Sequence, residues 1–319
     1  MIRKLIAIAI LSGVLLLGIF TDSNPTEQAV TRNIKKGETI SFLSLKIYGY
    51  YNEEIALLIK DANPEIDDLN LIRIGQQVIF PRLTELVNKP YSVKTTASTA
   101  VVTFIDGKAR FLKSGLKDWR RLTANTILTP GDKIKTGERA LVELVVNNTD
   151  VLRLSSNTEL TIEGLSKTEK SEQDSQEPEA NFKFSMGKIW AKIKSYVERS
   201  GKFEVSFPTA VAAVQGTVYN AELNPDSLAT LKVYRGRVEV AEKLAKMRNQ
   251  SRKLRAPSQV SGPKQVSMTQ WVKIVREMQQ LSFGPGQAPG DPEDFQEDWS
   301  GSWEKFNKQR DQLFEGQLK

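Results

Sequence analysis

The chain has 319 residues and a formal net charge of +7, with 39% hydrophobic and 26% charged residues, which is ordinary globular composition. It contains neither cysteine nor histidine. This excludes thiol nucleophiles, Ser-His pairs, disulfides and zinc sites made of thiolates or imidazoles. The length allows one large domain or two modest ones.

The N-terminus has the pattern of an export element. Arg3 and Lys4 precede the apolar run Leu5–Phe20, and no good small-residue cleavage site follows it. The run approaches the length of a membrane-spanning helix, and the positive-inside rule places the rest of the chain outside the cytoplasm. We therefore predict an extracytoplasmic, periplasmic protein. Residues 1–23 are a signal sequence or an anchor, in which residues 2–20 would lie in the inner membrane.

Residues 30–82 predict a small β-α-α-β unit. A short polar strand precedes a helix that Thr39 or Ser41 can cap and that Gly49 ends. A second apolar-periodic helix ends before Pro64, because the residue before proline avoids the helical region. A strand closes the unit.

This unit resembles a LysM domain. The matching residues are Lys36-Gly37-Glu38-Thr39-Ile40, Tyr48-Gly49, Ala62-Asn63-Pro64, Ile72 and Gly75-Gln76-Gln77-Val78-x-x-Pro81. The resemblance implies binding of N-acetylglucosamine polymers, such as peptidoglycan or chitin, in a groove between two loops. The carbohydrate-binding residues that it implies are Gly37, Glu38, Thr39, Ile40, Asn63, Pro64, Glu65 and Ile66. In the alternative interpretation, Gly37, Thr39 and Asn63 are only a turn and two helix caps.

Residues 98–241 predict a larger, mainly antiparallel β domain. Asp106-Gly107 is a strong hairpin signal between the strands Val101–Ile105 and Lys108–Leu112. Further strands follow from the alternation of apolar and polar residues. One of them opens at Gly216, and two more flank a turn at Arg235-Gly236.

This β region resembles the FecR domain family. The matching strings are Gly131-Asp132-x-Ile134-x-Thr136-Gly137, Pro208–Tyr219 and Tyr234–Val238. The resemblance implies an extracytoplasmic β domain that binds partners rather than catalysing a reaction. A run without apolar residues at 167–180 interrupts it and predicts a mobile loop.

The remaining segments complete the predicted organisation. Residues 83–97 are a linker, residues 242–264 a basic segment, residues 265–282 a helix, and residues 283–319 a Gly/Pro linker with a terminal helix. The helix at 265–282 follows from a capping box and an apolar face of Trp271, Ile274, Val275 and Met278. The fold class is therefore α+β. It combines a small β-α-α-β LysM-like domain with a larger sandwich-like or jelly-roll-like β domain and a C-terminal helical tail.

The sequence offers little that predicts catalysis. It has no Gly-rich phosphate loop. We expect no acidic residue in an apolar strand context that would raise its pKa, as a carboxylate-pair glycosidase needs. We interpret the basic run Lys243–Arg255 as a solvated connection, and we expect no cofactor, no metal and no nucleic-acid partner.

These patterns predict a non-enzymatic protein of the cell envelope. It would bind peptidoglycan or a related glycan and present the FecR-like domain to an unknown envelope protein. The alternative is a FecR-type transmembrane signalling regulator, although only Met1–Lys4 precede the apolar run, which leaves no cytoplasmic domain for a sigma factor. A cell-wall hydrolase is the third hypothesis.

Overall fold

The computed structural model describes residues 29–83, 99–166, 179–194, 202–243, 271–286 and 288–316. They form a β-α-α-β unit, a larger β domain and a C-terminal helix. Within these ranges, no helix is long and apolar enough to cross a membrane. The predicted export element lies outside the described residues, as does most of the predicted linker (83–97), mobile loop (167–180) and basic segment (242–264).

The N-terminal unit has the predicted element order. Its elements are β1 (Val30–Asn33), α1 (Ile40–Tyr48), α2 (Glu53–Ala62) and β2 (Gln77–Phe80), with β1 and β2 paired antiparallel. Thr39 caps α1 by accepting the N–H of Phe42 at 3.1 Å. Gly49 ends α1 in the left-handed conformation. These local signals explain why the two helices form where the sequence predicts them.

The β domain contains fifteen strands among the described residues. They are β3 (Ala100–Asp106), β4 (Ala109–Leu112), β5 (Arg120–Arg121), β6 (Ile127–Leu128), β7 (Lys133–Thr136), β8 (Leu141–Val146), β9 (Asp150–Leu154), β10 (Glu159–Ser166), β11 (Glu179–Lys192), β12 (Lys202–Ser206), β13 (Ala210–Leu223), β14 (Ala229–Glu242), β15 (Val272–Arg276), β16 (Gln279–Phe283) and β17 (Glu293–Asp294). All their pairings are antiparallel except β11 with β12.

Three long strands join the two halves of a single 15-stranded sheet. Strands β11, β13 and β14 have 14 residues each, and they contain Gly187, Gly216 and Gly236, each at positive φ. The first half of β11 pairs with β10 and β12, whereas its second half pairs with β9 and β13. The first half of β14 likewise pairs with β16, and its second half pairs with β15. One apolar core takes side chains from both halves of this sheet, including Leu144, Phe182 and Val205.

The predicted hairpin at Asp106-Gly107 is wrong. Strand β3 pairs with β6 and β8, and β4 pairs with β5 and β7, so the two strands have no ladder in common. Gly107 does turn the chain, at φ 81°. The turn carries the chain from one set of partner strands to another.

Two other predicted breaks are absent. Gly216 does not open a strand and Arg235-Gly236 is not a turn, since β13 and β14 continue through both positions. The register between the strands shifts there, and Thr217 bridges the irregularity by donating its hydroxyl to Arg237 O at 2.7 Å. A glycine at positive φ fits a β-bulge as well as a turn, and the sequence signal is the same for both.

The predicted helix over 265–282 is also wrong in its described part. Residues 271–283 form β15 and β16, which turn at Met278 (φ 61°) and add to β14. Val275 is fully buried, but Ile274 is 43% exposed, so the apparent helical face does not face one core. Pairing satisfies the backbone groups of β14 along most of its length, a gain that local periodicity does not reveal.

The terminal helix is confirmed. Helix α3 covers Ser302–Glu315 and lies between the β-α-α-β unit and the β domain. The structure therefore bears out a larger β domain followed by a C-terminal helix.

We expect Gly236→Ala to lower the free energy of unfolding by more than about 2 kcal/mol, because left-handed backbone is strained with a side chain. A Cβ at Gly236 would also lie 2.6 Å from Gly216 O. Denaturant unfolding measures the change. Gly290→Ala is the control, since nothing lies within 4 Å of the added carbon and the backbone there is ordinary. Equal stability of the two variants would contradict the bulge assignment.

Candidate functional site

The first loop implied for carbohydrate binding lies against other parts of the chain. Gly37 O accepts a hydrogen bond from Arg310 Nη1 at 2.6 Å. Thr39 donates its hydroxyl to Thr103 O of β3 at 2.7 Å. Glu38 accepts the N–H of Lys35 at 2.8 Å, and Ile40 is fully buried. The polar groups of this loop are therefore largely committed to intramolecular contacts.

The second loop is committed in part. Asn63 is fully buried, and its amide donates to Ile59 O at 2.7 Å and to Ile79 O at 2.8 Å, while it accepts the N–H of Ile79 at 2.8 Å. Ile66 is also buried, whereas Pro64 and Glu65 are exposed. Asn63 thus holds α2 to β2, as in the structural interpretation of that residue.

A side chain from the β domain bridges the first turn of α1 and the loop after α2. Asn125, in the turn between β5 and β6, accepts the N–H of Ser41 at 2.8 Å. Its amide nitrogen donates to Leu69 O at 3.0 Å and to Asn70 Oδ1 at 3.1 Å. Asn125 has φ 64°, a conformation that asparagine tolerates better than most residues. We call the groups around its amide, namely Ser41 N–H, Leu69 O and Asn70 Oδ1, the amide slot.

A cavity of about 340 Å³ adjoins the amide slot. Its walls are α2, the loop after α2 and the turn that carries Asn125. The lining residues include Tyr51, Lys60, Asp67, Asn70, Thr123 and Thr126. The sequence did not indicate this cavity, because a third of its lining residues come from the β domain. Among the described residues, no cluster of three or more acidic side chains is arranged to hold a metal ion.

A buried charge cluster joins the three parts of the molecule. Glu143 on β8 is fully buried and accepts from Arg153 Nε at 2.7 Å, from Arg310 Nη2 at 2.5 Å and from Thr103 Oγ at 2.8 Å. Arg153 lies on β9, and its Nη2 is 2.8 Å from Asp311 Oδ1 in a charge contact rather than an aligned hydrogen bond. The cluster therefore connects neighbouring strands to α3, and through Arg310 to Gly37 O.

Aromatic rings enclose Arg310. Its guanidinium carbon lies 4.7 Å from the ring centroid of Phe104, 5.1 Å from Phe42 and 5.9 Å from Phe314. Such cation–π contacts stabilise a desolvated guanidinium. Phe104 belongs to β3, Phe42 to α1 and Phe314 to α3, so the same three parts meet again.

Burial by itself disfavours the charged form of Glu143, but attraction to Arg310 and Arg153 outweighs it and holds the pKa of this carboxyl below its ordinary value. The expectation was that no acidic residue lies in an apolar strand context that raises its pKa. Glu143 does lie in an apolar strand, within Leu-Val-Glu-Leu-Val-Val, but its pKa is lowered rather than raised. That string was the signal available in the sequence. The lowered pKa indicates a permanently charged structural group, not a general acid.

Helix α3 contacts each part in turn along one face. Trp303 donates to Asn220 Oδ1 of β13 at 3.1 Å, and Asn307 accepts from Arg153 Nη1 at 3.3 Å. Arg310 donates a hydrogen bond to Glu143, and Phe314 packs edge-on against Phe42 with 4.9 Å between ring centroids. Lys46 of α1 donates to the carbonyls of residues 313 and 314 at 3.0 and 2.9 Å, where a cation suits the negative end of the helix dipole.

Comparison with known proteins bears on the β domain. Residues 132–239 match the family model described as FecR protein. Residues 132–239 are a FecR-family domain. The match begins just before β7 and runs through most of β14. It confirms that part of the FecR resemblance, whereas the LysM resemblance of residues 30–82 stays a prediction.

Two crystal structures described as a putative anti-sigma factor from Parabacteroides distasonis ATCC 8503 are similar to this chain. They share 14% and 15% identity with it, at TM-scores of 0.33 and 0.32. The alignments cover 52% of this chain and 60% of those chains, less than two thirds of their length. This similarity is too weak to carry an argument about function. No curated protein sequence matches the chain.

We expect Arg310→Met to lower the free energy of unfolding by about 3–5 kcal/mol, because it leaves Glu143 buried with one cation fewer. Urea unfolding measures the loss. Arg121→Met, at an exposed arginine on β5, is the control and should change stability by less than about 0.5 kcal/mol. Adding Glu143→Gln to Arg310→Met should recover part of the loss. Additive losses in the double variant would contradict a charge pair.

The cluster also predicts a pH dependence. The native pKa of Glu143 is below the ordinary value of 4.5, so its stabilising contribution is complete above that pH and is lost as pH falls through the native pKa. The free energy of unfolding should therefore fall more steeply with acid in the wild type than in Glu143→Gln. Arg310→Met should show an intermediate slope. Equal slopes, measured at constant ionic strength, would rule out this role for Glu143.

Proposed function

We propose that the chain is a non-enzymatic regulator of the FecR type that acts outside the cytoplasm. The observation that carries the proposal is the FecR-family match over residues 132–239. These residues include β11 and β13, two of the long strands that join the two halves of the sheet. The buried charged side chains of the β domain among the described residues are committed to ion pairs and hydrogen bonds; they are Asp132, Glu143, Asp150 and Arg153. Its functional groups are then surface groups, which suits binding of another envelope protein.

Export supports the same proposal from the sequence. The basic residues and apolar run at residues 1–23 place the β domain outside the cytoplasm, as a signal sequence or an inner-membrane anchor. The function needs no cofactor, no metal and no nucleic acid. The partner proposed for the surface of the β domain is another protein of the cell envelope.

A second function is binding of N-acetylglucosamine polymers, such as peptidoglycan or chitin, by the β-α-α-β unit. The amide slot favours it, because Ser41 N–H and Leu69 O already hold an amide in the structure. Of the eight residues implied for this site, Pro64 and Glu65 remain exposed. Gly37, Thr39 and Asn63 are engaged elsewhere. Glycan binding by this unit therefore requires a change in its contacts with the β domain.

A transcript measurement tests the regulatory function. Expression of the full chain is induced in a strain of its native host from which the corresponding gene has been deleted. Transcripts are compared shortly before and shortly after induction. A regulator should change a small, discrete set of transcripts. A chain carrying Leu15→Lys and Leu16→Lys should not, because each charge costs roughly 2.5–3.5 kcal/mol at the centre of a membrane segment and blocks export.

The outcomes separate the two functions. A response that depends on export supports the regulator. An unchanged set of transcripts, with the exported chain retained on insoluble peptidoglycan, would replace it with the glycan-binding function. An equal response from the export-blocked chain would place the activity in the cytoplasm and contradict the proposal.

A further inference from the structure

The amide slot holds the side chain of Asn125 as it would hold a ligand. The carbonyl oxygen of the amide accepts Ser41 N–H at 2.8 Å, in the first turn of α1. The amide nitrogen donates to Leu69 O at 3.0 Å on the other side. Main-chain groups of the β-α-α-β unit thus form hydrogen bonds with both the oxygen and the nitrogen of an amide from the β domain.

An acetamido group offers the same pair of atoms. Its carbonyl oxygen accepts one hydrogen bond and its N–H donates one, like the amide of asparagine. Donors in the first turn of a helix have no partner within the helix, so Ser41 N–H needs an acceptor from elsewhere. Asn125 supplies that acceptor, and an N-acetyl group at the same place would have to replace it.

Further contacts hold the β-α-α-β unit against β3 and α3. Ser41 donates its hydroxyl to Val102 O at 3.0 Å, and Thr39 donates to Thr103 O at 2.7 Å. Val101 of β3 and Phe314 of α3 pack into the apolar core of the β-α-α-β unit. We expect these contacts to oppose exchange of the occupant of the slot, because each of them favours the docked unit.

We propose that Asn125 closes the amide slot, so that an N-acetylated glycan and the β domain compete for the β-α-α-β unit. This inference rests on the glycan-binding role proposed above as the second function. The apparent affinity for glycan is then the intrinsic affinity multiplied by the fraction of molecules in which the unit is undocked. Any change that removes docking contacts raises that fraction and tightens binding.

Asn125→Gly tests the closure directly. Glycine adopts φ 64° without strain and removes the amide with its three hydrogen bonds. The matched control is Asn148→Gly, which makes the same chemical change at φ 66° in the turn between β8 and β9. Calorimetry of the full chains with a soluble oligomer of N-acetylglucosamine should show Asn125→Gly binding about tenfold tighter than wild type, and the control unchanged.

Hydrogen exchange of the wild type gives a second readout. The second half of α3 contacts the unit through Arg310–Gly37 and through Lys46 with residues 313 and 314. If the oligomer separates the unit from the β domain, amides in this half should exchange faster when it is bound. Unchanged or slower exchange would overturn the competition.

Each outcome of the binding experiment decides something. Equal affinities in wild type, Asn125→Gly and Asn148→Gly would overturn the closure and leave the glycan role standing. No binding in any of the three proteins would overturn both. The transcript experiment is independent of either result, because it tests the FecR-type function of the β domain.

Discussion

A carboxylate that is fully buried between two guanidinium groups determines how the parts of this molecule are arranged. Glu143 cannot lie in an apolar strand without cations beside it, because a buried unpaired charge costs several kcal/mol. Arg153 on the adjacent strand supplies one cation. Arg310 supplies the other only when α3 lies across β8, and it then reaches Gly37 O as well. One charge therefore couples the β domain to both the helix and the N-terminal unit.

Helix α3 depends on these tertiary contacts. Its 14 residues are mostly polar, and isolated helices of that length are marginal in water. Trp303, Asn307, Arg310 and Phe314 are spaced by four, three and four residues, so they share one face. The N-terminal half of that face contacts the β domain, and the C-terminal half contacts the β-α-α-β unit. The helix is thus stable only where both surfaces are present together.

The sequence predicted features that local chemistry decides, and it missed those that depend on pairing between distant segments. Thr39 and Gly49 mark the ends of α1 because capping and left-handed backbone are local requirements. Gly236 was mistaken for a turn, since a bulge in a long strand needs the same residue. At the candidate site, the capping interpretation of Thr39 and Asn63 could be made from sequence. The contacts of Thr39 with Thr103 and of Asn63 with Ile79 could not be predicted in this way. For Thr39, nothing local indicates that β3 covers the first loop.

The docked arrangement gives the β-α-α-β unit two physical routes into the FecR-family domain. One route is β3, whose Thr103 touches Thr39 on one side and Glu143 of β8 on the other. The other is α3, which links Gly37 to Glu143 through a single arginine. Both routes meet at β8, inside the matched region. Coupling between sites needs an element with two arrangements, and the undocking proposed above would provide the second one. A ligand of that unit would then change the FecR-family domain by withdrawing contacts at Glu143, without touching the domain itself.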